Sequence, residues 1–372
     1  MKYFKATIFI TLALTTLLLS SCSHVEAMKW FAKGYNAADS GKYEQSISYY
    51  NKAIELYPEY VNAYNNKGLS EFRLEKFELA ITDYNKAIEL NPRFSLGYIN
   101  RGLAEYYLEK YSLAESDFNK AIELDPKDAD AHTYKGILFY HLKEYWQSVQ
   151  EYSKAIAINP KDAKAYYNRA LSRDMAGQRD SSIIDYTAAI KLDSSRAELY
   201  YYRAQTERSK VDFELARYGD TEIVKRTNYP YYKMVMRDLK IYDSLAISDY
   251  TKTIELNAYY SDAYINRGRL ELEQRKYETA ITDFTKGIEK GENGAVNYAD
   301  RGLAEQAIGR YDSAICDFNR ATRIVPQYSD PYYDRAMVEL LQGNKTAAYA
   351  DMKKGAELGN DAAKTFLDKN KK

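Results

Sequence analysis

Four prolines, Pro58, Pro92, Pro126 and Pro160, recur at one constant interval, and each closes a near-identical phrase: AIELYP, AIELNP, AIELDP and AIAINP. A fixed period in the range of about 20–50 residues means one supersecondary unit stacked on the next, because a single unit cannot bury its apolar face alone. Pro326 closes a fifth phrase, RIVP, but falls four positions short of a whole number of periods. Counted from Ala27, the units are 27–60, 61–94, 95–128, 129–162 and 163–196, a short 197–226, then 227–260, 261–294, 295–328 and 329–362, with 363–372 as a C-terminal cap. Position 20 is small in all ten, including Ala216 and Ala246, and position 17 is aromatic in seven, including Phe213. Reading Tyr200 to Glu255 as one unit with a long insert would leave Phe213 and Ala216 without a role, so the missing four residues are placed in 197–226. That short unit, followed by Tyr229-Pro230-Tyr231-Tyr232, predicts an irregular junction and a hinge.

Within a unit, positions 4, 8 and 11, then 17, 20, 24, 27, 28 and 30, follow the three-to-four spacing of helical faces, and no strand-like alternation runs for long. Each unit therefore reads as two helices. The break falls near position 15, where Gly41, Gly177, Gly309 and Gly343 stand, and the proline at 32 stops the second helix. Position 8 is glycine in six units (Gly34, Gly68, Gly102, Gly136, Gly268 and Gly302). Glycine weakens a helix by about 1 kcal/mol. Its recurrence points to a close helix crossing, with the small residue at 20 opposite and the aromatic at 24 beside it.

These positions resemble the tetratricopeptide repeat: an aromatic at 4, Gly at 8, Ala at 20, an aromatic at 24, Ala at 27 and Pro at 32, met in full by 61–94 and 95–128 and degraded from 197 to 260. The resemblance covers nearly all of residues 27–362. It implies an all-α fold, a right-handed α-solenoid of about ten helix-turn-helix units, whose concave wall is made by the first helix of each pair. Position 7 departs from the family's usual apolar residue and is basic in all ten units, from Lys33 through Arg101 and Lys233 to Arg335, while position 23 is acidic in eight. Both lie eight residues from the turn, so an antiparallel hairpin brings them level. Glu71, Glu105, Glu207, Glu271, Glu305 and Glu339 sit one turn past the basic residue. The pattern reads as a structural ionic ladder.

Positions 2, 5, 9 and 12 share one face of the first helix, the candidate partner groove. Its first three units supply Phe31, Tyr35, Asn65, Leu69, Phe72, Ile99, Leu103 and Tyr106. The next ones add Ile137, Tyr140, Tyr167, Leu171, Tyr201 and Tyr231. Tyrosine is a large, stiff contact residue with one polar tip. The basic clamp with which some family members hold a C-terminal carboxylate is not matched, since Phe31, Leu96 and Asn100 occupy its places.

The N-terminus carries an address. Lys2 and Lys5 precede an apolar run of about fourteen residues, too short to span a bilayer and fitting for an export leader over 1–21. Leu19-Ser20-Ser21-Cys22 resembles the lipobox of bacterial lipoproteins, which implies cleavage before Cys22, acylation of Cys22 and a short tether over 22–26. Ser23 after that cysteine resembles outer-membrane sorting, so the expected location is a lipid anchor in the cell envelope, at the outer membrane before the inner, facing the periplasm or the cell surface. Cys316 is then without a disulfide partner and reads as a small buried residue.

Basic and acidic residues balance at 53 each, and loss of the leader leaves 51 against 53, which argues against a nucleic-acid binder. No GxSxG, HExxH, CxxC or phosphate-cradling loop is present, and His132 and His141 face opposite sides of one helix. The chain is expected to be no enzyme and to use no metal and no cofactor. The expected function is an envelope-tethered scaffold or assembly adaptor holding a protein or peptide; the alternative is a glycan-binding lipoprotein of an uptake system.

Overall fold

The computed structural model describes the backbone of residues 23–218 and 230–370, and the side chains of 23–214 and 240–370. Among the described residues there are 19 helices and no strand. Two compact units divide the chain at residues 176 and 177. The first holds four hairpins: α1 (residues 23–39) with α2 (Tyr43–Leu56), α3 (Val61–Arg73) with α4 (Phe77–Leu90), α5 (Ser95–Tyr107) with α6 (Tyr111–Leu124), and α7 (Ala129–His141) with α8 (Tyr145–Ile158), followed by α9 (Ala163–Met175). The second begins with α10 (Arg179–Leu192). Its four hairpins pair α11 (Ala197–Tyr218) with α12 (Pro230–Leu256), α13 (Ser261–Glu273) with α14 (Tyr277–Glu289), α15 (Ala295–Ala307) with α16 (Tyr311–Ile324), and α17 (Asp330–Leu341) with α18 (Lys345–Glu357), and α19 (Asp361–Lys369) closes the end.

The turn at position 15 is made by one residue in the left-handed region. Gly41, Gly177, Gly309 and Gly343 take it, as expected, and so do Glu75, Glu109, Lys143 and Arg275, each with φ between 59° and 63°. The close crossing at position 8 is equally direct. A Cβ built on Gly102 would fall 2.9 Å from Phe118, and one on Gly34 only 2.6 Å from Tyr50. The aromatic at position 24 therefore occupies the room that glycine vacates: Tyr50, Tyr84, Phe118, Tyr152, Phe284 and Phe318 are all fully enclosed there.

The ladder forms, and its geometry explains why position 7 is basic. Arg101 donates to both oxygens of Asp117 at 2.7 and 2.6 Å, and to Asn85 Oδ1 of the preceding hairpin at 2.6 Å. Arg267 and Arg301 repeat this on Asp283 and Asp317, with Thr251 and Thr285 as the preceding-hairpin partners. Each guanidinium also lies over the ring at position 4 of its own helix, Tyr98, Tyr264 or Tyr298. A planar cation with five donors can serve all these neighbours at once. Lysine gives a reduced version, with Lys67 on Asp83 at 3.0 Å and Lys135 on Glu151 at 3.4 Å. Lys33 sits over Trp30 instead, 4.0 Å from the ring centre.

The division of 197–260 into two units is corrected. No turn interrupts α11, which runs 22 residues where its neighbour α13 has 13, and α12 runs 27 where α14 has 13. The two long helices form one hairpin. Arg203 pairs with Asp249, far along the chain, at 2.7 and 2.8 Å, whereas Arg101, Arg267 and Arg301 pair within an ordinary repeat. The array thus has nine units, and 197–260 is one unit enlarged by a 30-residue insertion. The physical reason is the residue at the turn position: Val211 is β-branched and cannot take the left-handed conformation without strain. Phe213, expected in the core, is exposed and lies against the Arg179 guanidinium. The expected junction at 226 falls outside the described residues, and the hinge loses its basis, because Tyr201, Ala204, Ala246 and Tyr250 share a core with Ala263 and Leu270 of the next hairpin.

Three smaller differences follow from helix phase. The cap helix starts at Asp361, where the Asn360 side chain accepts a bond from Ala363 N at 2.8 Å, two residues before the expected boundary. Residues 23–26, expected as tether, already belong to α1, and Cys22 lies outside the described residues. Cys316 is exposed, not buried, since position 22 points away from the face of Ala314, Asp317 and Phe318.

Candidate functional site

At 100° per residue, positions 2, 9 and 13 of a first helix point within about 20° of one direction, while 5 and 12 turn about 60–80° aside. The structure sets position 5 apart but leaves position 12 beside position 9. At position 9, Tyr35 is 58% exposed, Leu69 is exposed, and Leu103, Ile137 and Leu171 are half-buried. At position 12, Phe72, Tyr106 and Tyr140 are half-buried.

Position 5 does not belong to the open face. Ile99 is 2% exposed and packs on Ala121 and Ala131, beneath the next hairpin. Asn65, also 2% exposed, donates to Asn66 Oδ1 at 3.1 Å and accepts from Asn100 Nδ2 at 2.9 Å. Tyr201, 6% exposed, has its hydroxyl bonded by Gln205 and Asn266 and its ring 4.6 Å from that of Tyr260. Burial is the chief reason its phenol is pushed well above the ordinary range. Phe31 lies against Tyr50 and Tyr60, and Tyr167 is half-buried. Asn65, Ile99 and Tyr201 join hairpins rather than offer contacts. The Tyr231 side chain lies outside the described residues.

Position 13 was missed. Tyr107 is 56% exposed, and Met175 and Leu341, at the same position of their own units, are exposed as well. The signal was present, because 13 is one helical turn from 9. Tyr107 stacks on Phe77 at 5.2 Å, nearly parallel, and Tyr106 and Phe72 meet it edge-on. Tyr111, Tyr106 and His141 continue the aromatic strip, with a 2.9 Å bond between the Tyr111 hydroxyl and His141 Nε2.

Two cavities open at the same register, one in each compact unit. The first, about 320 Å³, lies between α1 and α3 over Tyr50, with Tyr35, Asp39, Asn66, Leu69 and Arg73 around it. It exists because Ala38 stands at position 12 where the next three units carry Phe72, Tyr106 and Tyr140. Burial pushes the Tyr50 phenol up to about 12, and its hydrogen bond with Asn66 partly offsets that. The second, about 360 Å³, lies between α11 and α13 over Tyr250. Its Arg208 is bonded by Asp243 at 3.2 Å and Glu273 at 2.8 and 3.0 Å, so its charges are internally matched. His132 is buried and its Nδ1 bonds Glu151 at 2.7 Å, far from His141 in function and direction. Among the described residues no group of three or more His, Cys, Asp or Glu is placed to hold a metal.

Residues 27–60, 61–94 and 99–163 match models of the tetratricopeptide repeat. No curated protein matches the chain. Among solved structures, the C-terminal part of a TPR repeat-containing protein from Cytophaga hutchinsonii is 17% identical, covering 73% of this chain and 98% of that one with a TM-score of 0.55. A tetratricopeptide repeat protein from Parabacteroides merdae is 21% identical over 75% of this chain and 98% of that one, with a TM-score of 0.47. YrrB, described as a TPR protein with an unusual peptide-binding site, is 19% identical over 61% and 97%, with a TM-score of 0.42. Residues 27–94 and 99–163 are thus tetratricopeptide repeats, and the chain has the all-α solenoid fold of tetratricopeptide repeat proteins.

Proposed function

We propose that this chain is an adaptor tethered to the cell envelope through a lipid on Cys22, at the outer membrane, and that it holds a protein partner on the open face of its first helices. One observation carries the partner reading: Met28, Tyr35, Leu69, Leu96, Tyr107 and Met175 leave a recurring stripe of apolar surface exposed along α1, α3, α5 and α9. These side chains recur at positions 2, 9 and 13, and exposed apolar surface aligned in this way favours an interaction site, although Leu79, Leu113 and Trp146 are exposed on the second helices too. Stiff tyrosines lose little freedom when they are covered. The tether rests on the Leu19-Ser20-Ser21-Cys22 motif behind a short apolar run.

Photo-crosslinkers placed at Leu69 and Leu103 should capture one discrete envelope protein, and serine at both Tyr35 and Tyr107 should abolish that capture while leaving the helix content intact. Glycan-array binding that is lost in the same double variant, with no protein captured, would favour the saccharide reading and overturn this one. For the tether, Cys22→Ala should release the chain from the membrane fraction and end acyl labelling. Labelling that survives the change refutes it.

A further inference from the structure

Six units place a glutamate one turn beyond the position-7 cation: Glu71, Glu105, Glu207, Glu271, Glu305 and Glu339. Each has a position-23 aspartate across the hairpin, so two carboxylates meet one cation. The cation is committed to the aspartate. Arg101 forks onto both oxygens of Asp117, Arg203 onto both of Asp249, and Arg267 onto both of Asp283. Glu339 accepts from the Asn344 amide at 2.7 Å. The other five, Glu71, Glu105, Glu207, Glu271 and Glu305, have an enclosed Oε2 that no hydrogen bond reaches; Arg310 stands 3.5 Å from Glu305, and Lys67 stands 3.9 Å from the other oxygen of Glu71.

Two enclosed carboxylates with one counter-ion leave a net negative charge in a poorly screened place, and binding a proton between them removes it. We infer that the hairpins 61–94, 95–128 and 197–260 are proton-binding sites, each holding one proton on its glutamate, beside the aspartate, at pH 6 and releasing it on unfolding. The groups acting on each site are few. Glu71 faces Asp83, Lys67, Lys76 and the Tyr84 phenol. Glu105 faces Asp117, Arg101 and Lys110, and Glu207 faces Asp249, Arg203 and the Tyr250 phenol. Burial first, and the neighbouring aspartate second, push Glu71 and Glu105 up to about 7 and Glu207 up to about 8. Glu271 moves in the same direction.

An unfolded glutamate titrates near 4.5, so the folded value is the raised one. The stability that the bound proton contributes is complete below about 4.5, falls as pH rises from there, and is gone above about 7 to 8. Between those limits each linked proton changes the unfolding constant about tenfold per pH unit.

The test compares the full chain with the triple variant Glu71→Gln, Glu105→Gln, Glu207→Gln, whose amides mimic the protonated acid and cannot titrate. At pH 6, guanidinium unfolding of the unaltered chain should release about three more protons than unfolding of the variant, read with an indicator dye. Histidine contributions are common to both and cancel. Between pH 6 and 8.5 the unaltered chain should lose more resistance to denaturant than the variant, in which Asp334, pushed up to about 7 by burial and by Asp330, still titrates. Equal release, or equal pH slopes, overturns the inference. If the triple variant does not fold, infrared spectra of the unaltered folded chain with isotope-labelled glutamate decide, because the label sets Asp334 apart: a labelled protonated-carboxyl band must be present at pH 6 and gone at pH 9, and its absence at pH 6 overturns the inference too.

Discussion

Arg101→Ala removes two bonds to Asp117, one to Asn85 of the preceding hairpin, and the guanidinium that lies 5.4 Å above the Tyr98 ring. The Asp117 side chain is 7% exposed and that of Arg101 22%, so the pair is largely shielded from water. Removing one member of a buried pair costs about 3–5 kcal/mol, and the partial access of Arg101 to solvent puts this loss near the lower end, about 3 kcal/mol. Asp117→Ala should cost less, about 1–2 kcal/mol. Arg101 then keeps Asn85 and gains Glu105, one turn along its own helix, as a replacement counter-ion. The asymmetry separates a cation that joins two hairpins from a simple pair. A stacked array unfolds by units and their neighbours, so the assay is hydrogen exchange across α5 and α6, alongside denaturant unfolding of both single variants and the double. Coupling should exceed about 1 kcal/mol. Losses that add to within about 0.5 kcal/mol, or that are equal for the two single changes, would refute the assignment.

Gly102→Ala should destabilise 95–128, because the new Cβ falls 2.9 Å from Phe118 and 3.2 Å from the Ala114 carbonyl oxygen; overpacking of about 1–3 kcal/mol exceeds the gain in helix propensity of about 1 kcal/mol, and an unchanged melting temperature contradicts this. Glu109→Gly should do the opposite, since Glu109 holds φ at 59°; relief of about 0.5–1 kcal/mol is expected, read as a rise in the denaturant midpoint. Deleting residues 212–241 together with Val211→Gly should leave a folded nine-unit chain in which Arg203 and Asp249 acquire the same sequence separation as Arg101 and Asp117. Loss of helical signal or of protection in α13 counts against that register.

The period, the hairpin and the pairing of position 7 with position 23 were legible because each is repeated, so that a chance match in one unit is corrected by the others. The enlarged unit was not, for a related reason: a 30-residue insertion differs from a whole repeat by only four residues, and Ala216 supplied a small residue in the expected place. The decisive residues were Val211 and Ile241, both β-branched at what a ten-unit count makes the turn position. A turn that accepts Gly, Glu, Lys or Arg does not accept them. On the candidate face, spacing alone grouped 5 with 9, although position 5 turns toward the next hairpin. Asn65, Ile99 and Tyr201 are buried for that reason. Tyr107 would have been found by stepping one turn forward from Leu103.

Beyond its own hairpin, the position-7 guanidinium reaches backward along the chain. Arg101, Arg169, Arg203, Arg267, Arg301 and Arg335 each find a partner in the preceding repeat, on Asn85, Ser153, Thr187, Thr251, Thr285 and Asn319. A ribosome delivers these residues in a fixed order, and the acceptor is always older than the arginine that needs it. Each newly made first helix therefore arrives with a hand extended toward a hairpin that already exists, and this bond, unlike the burial of Ile99 beneath the next hairpin, waits for no later unit.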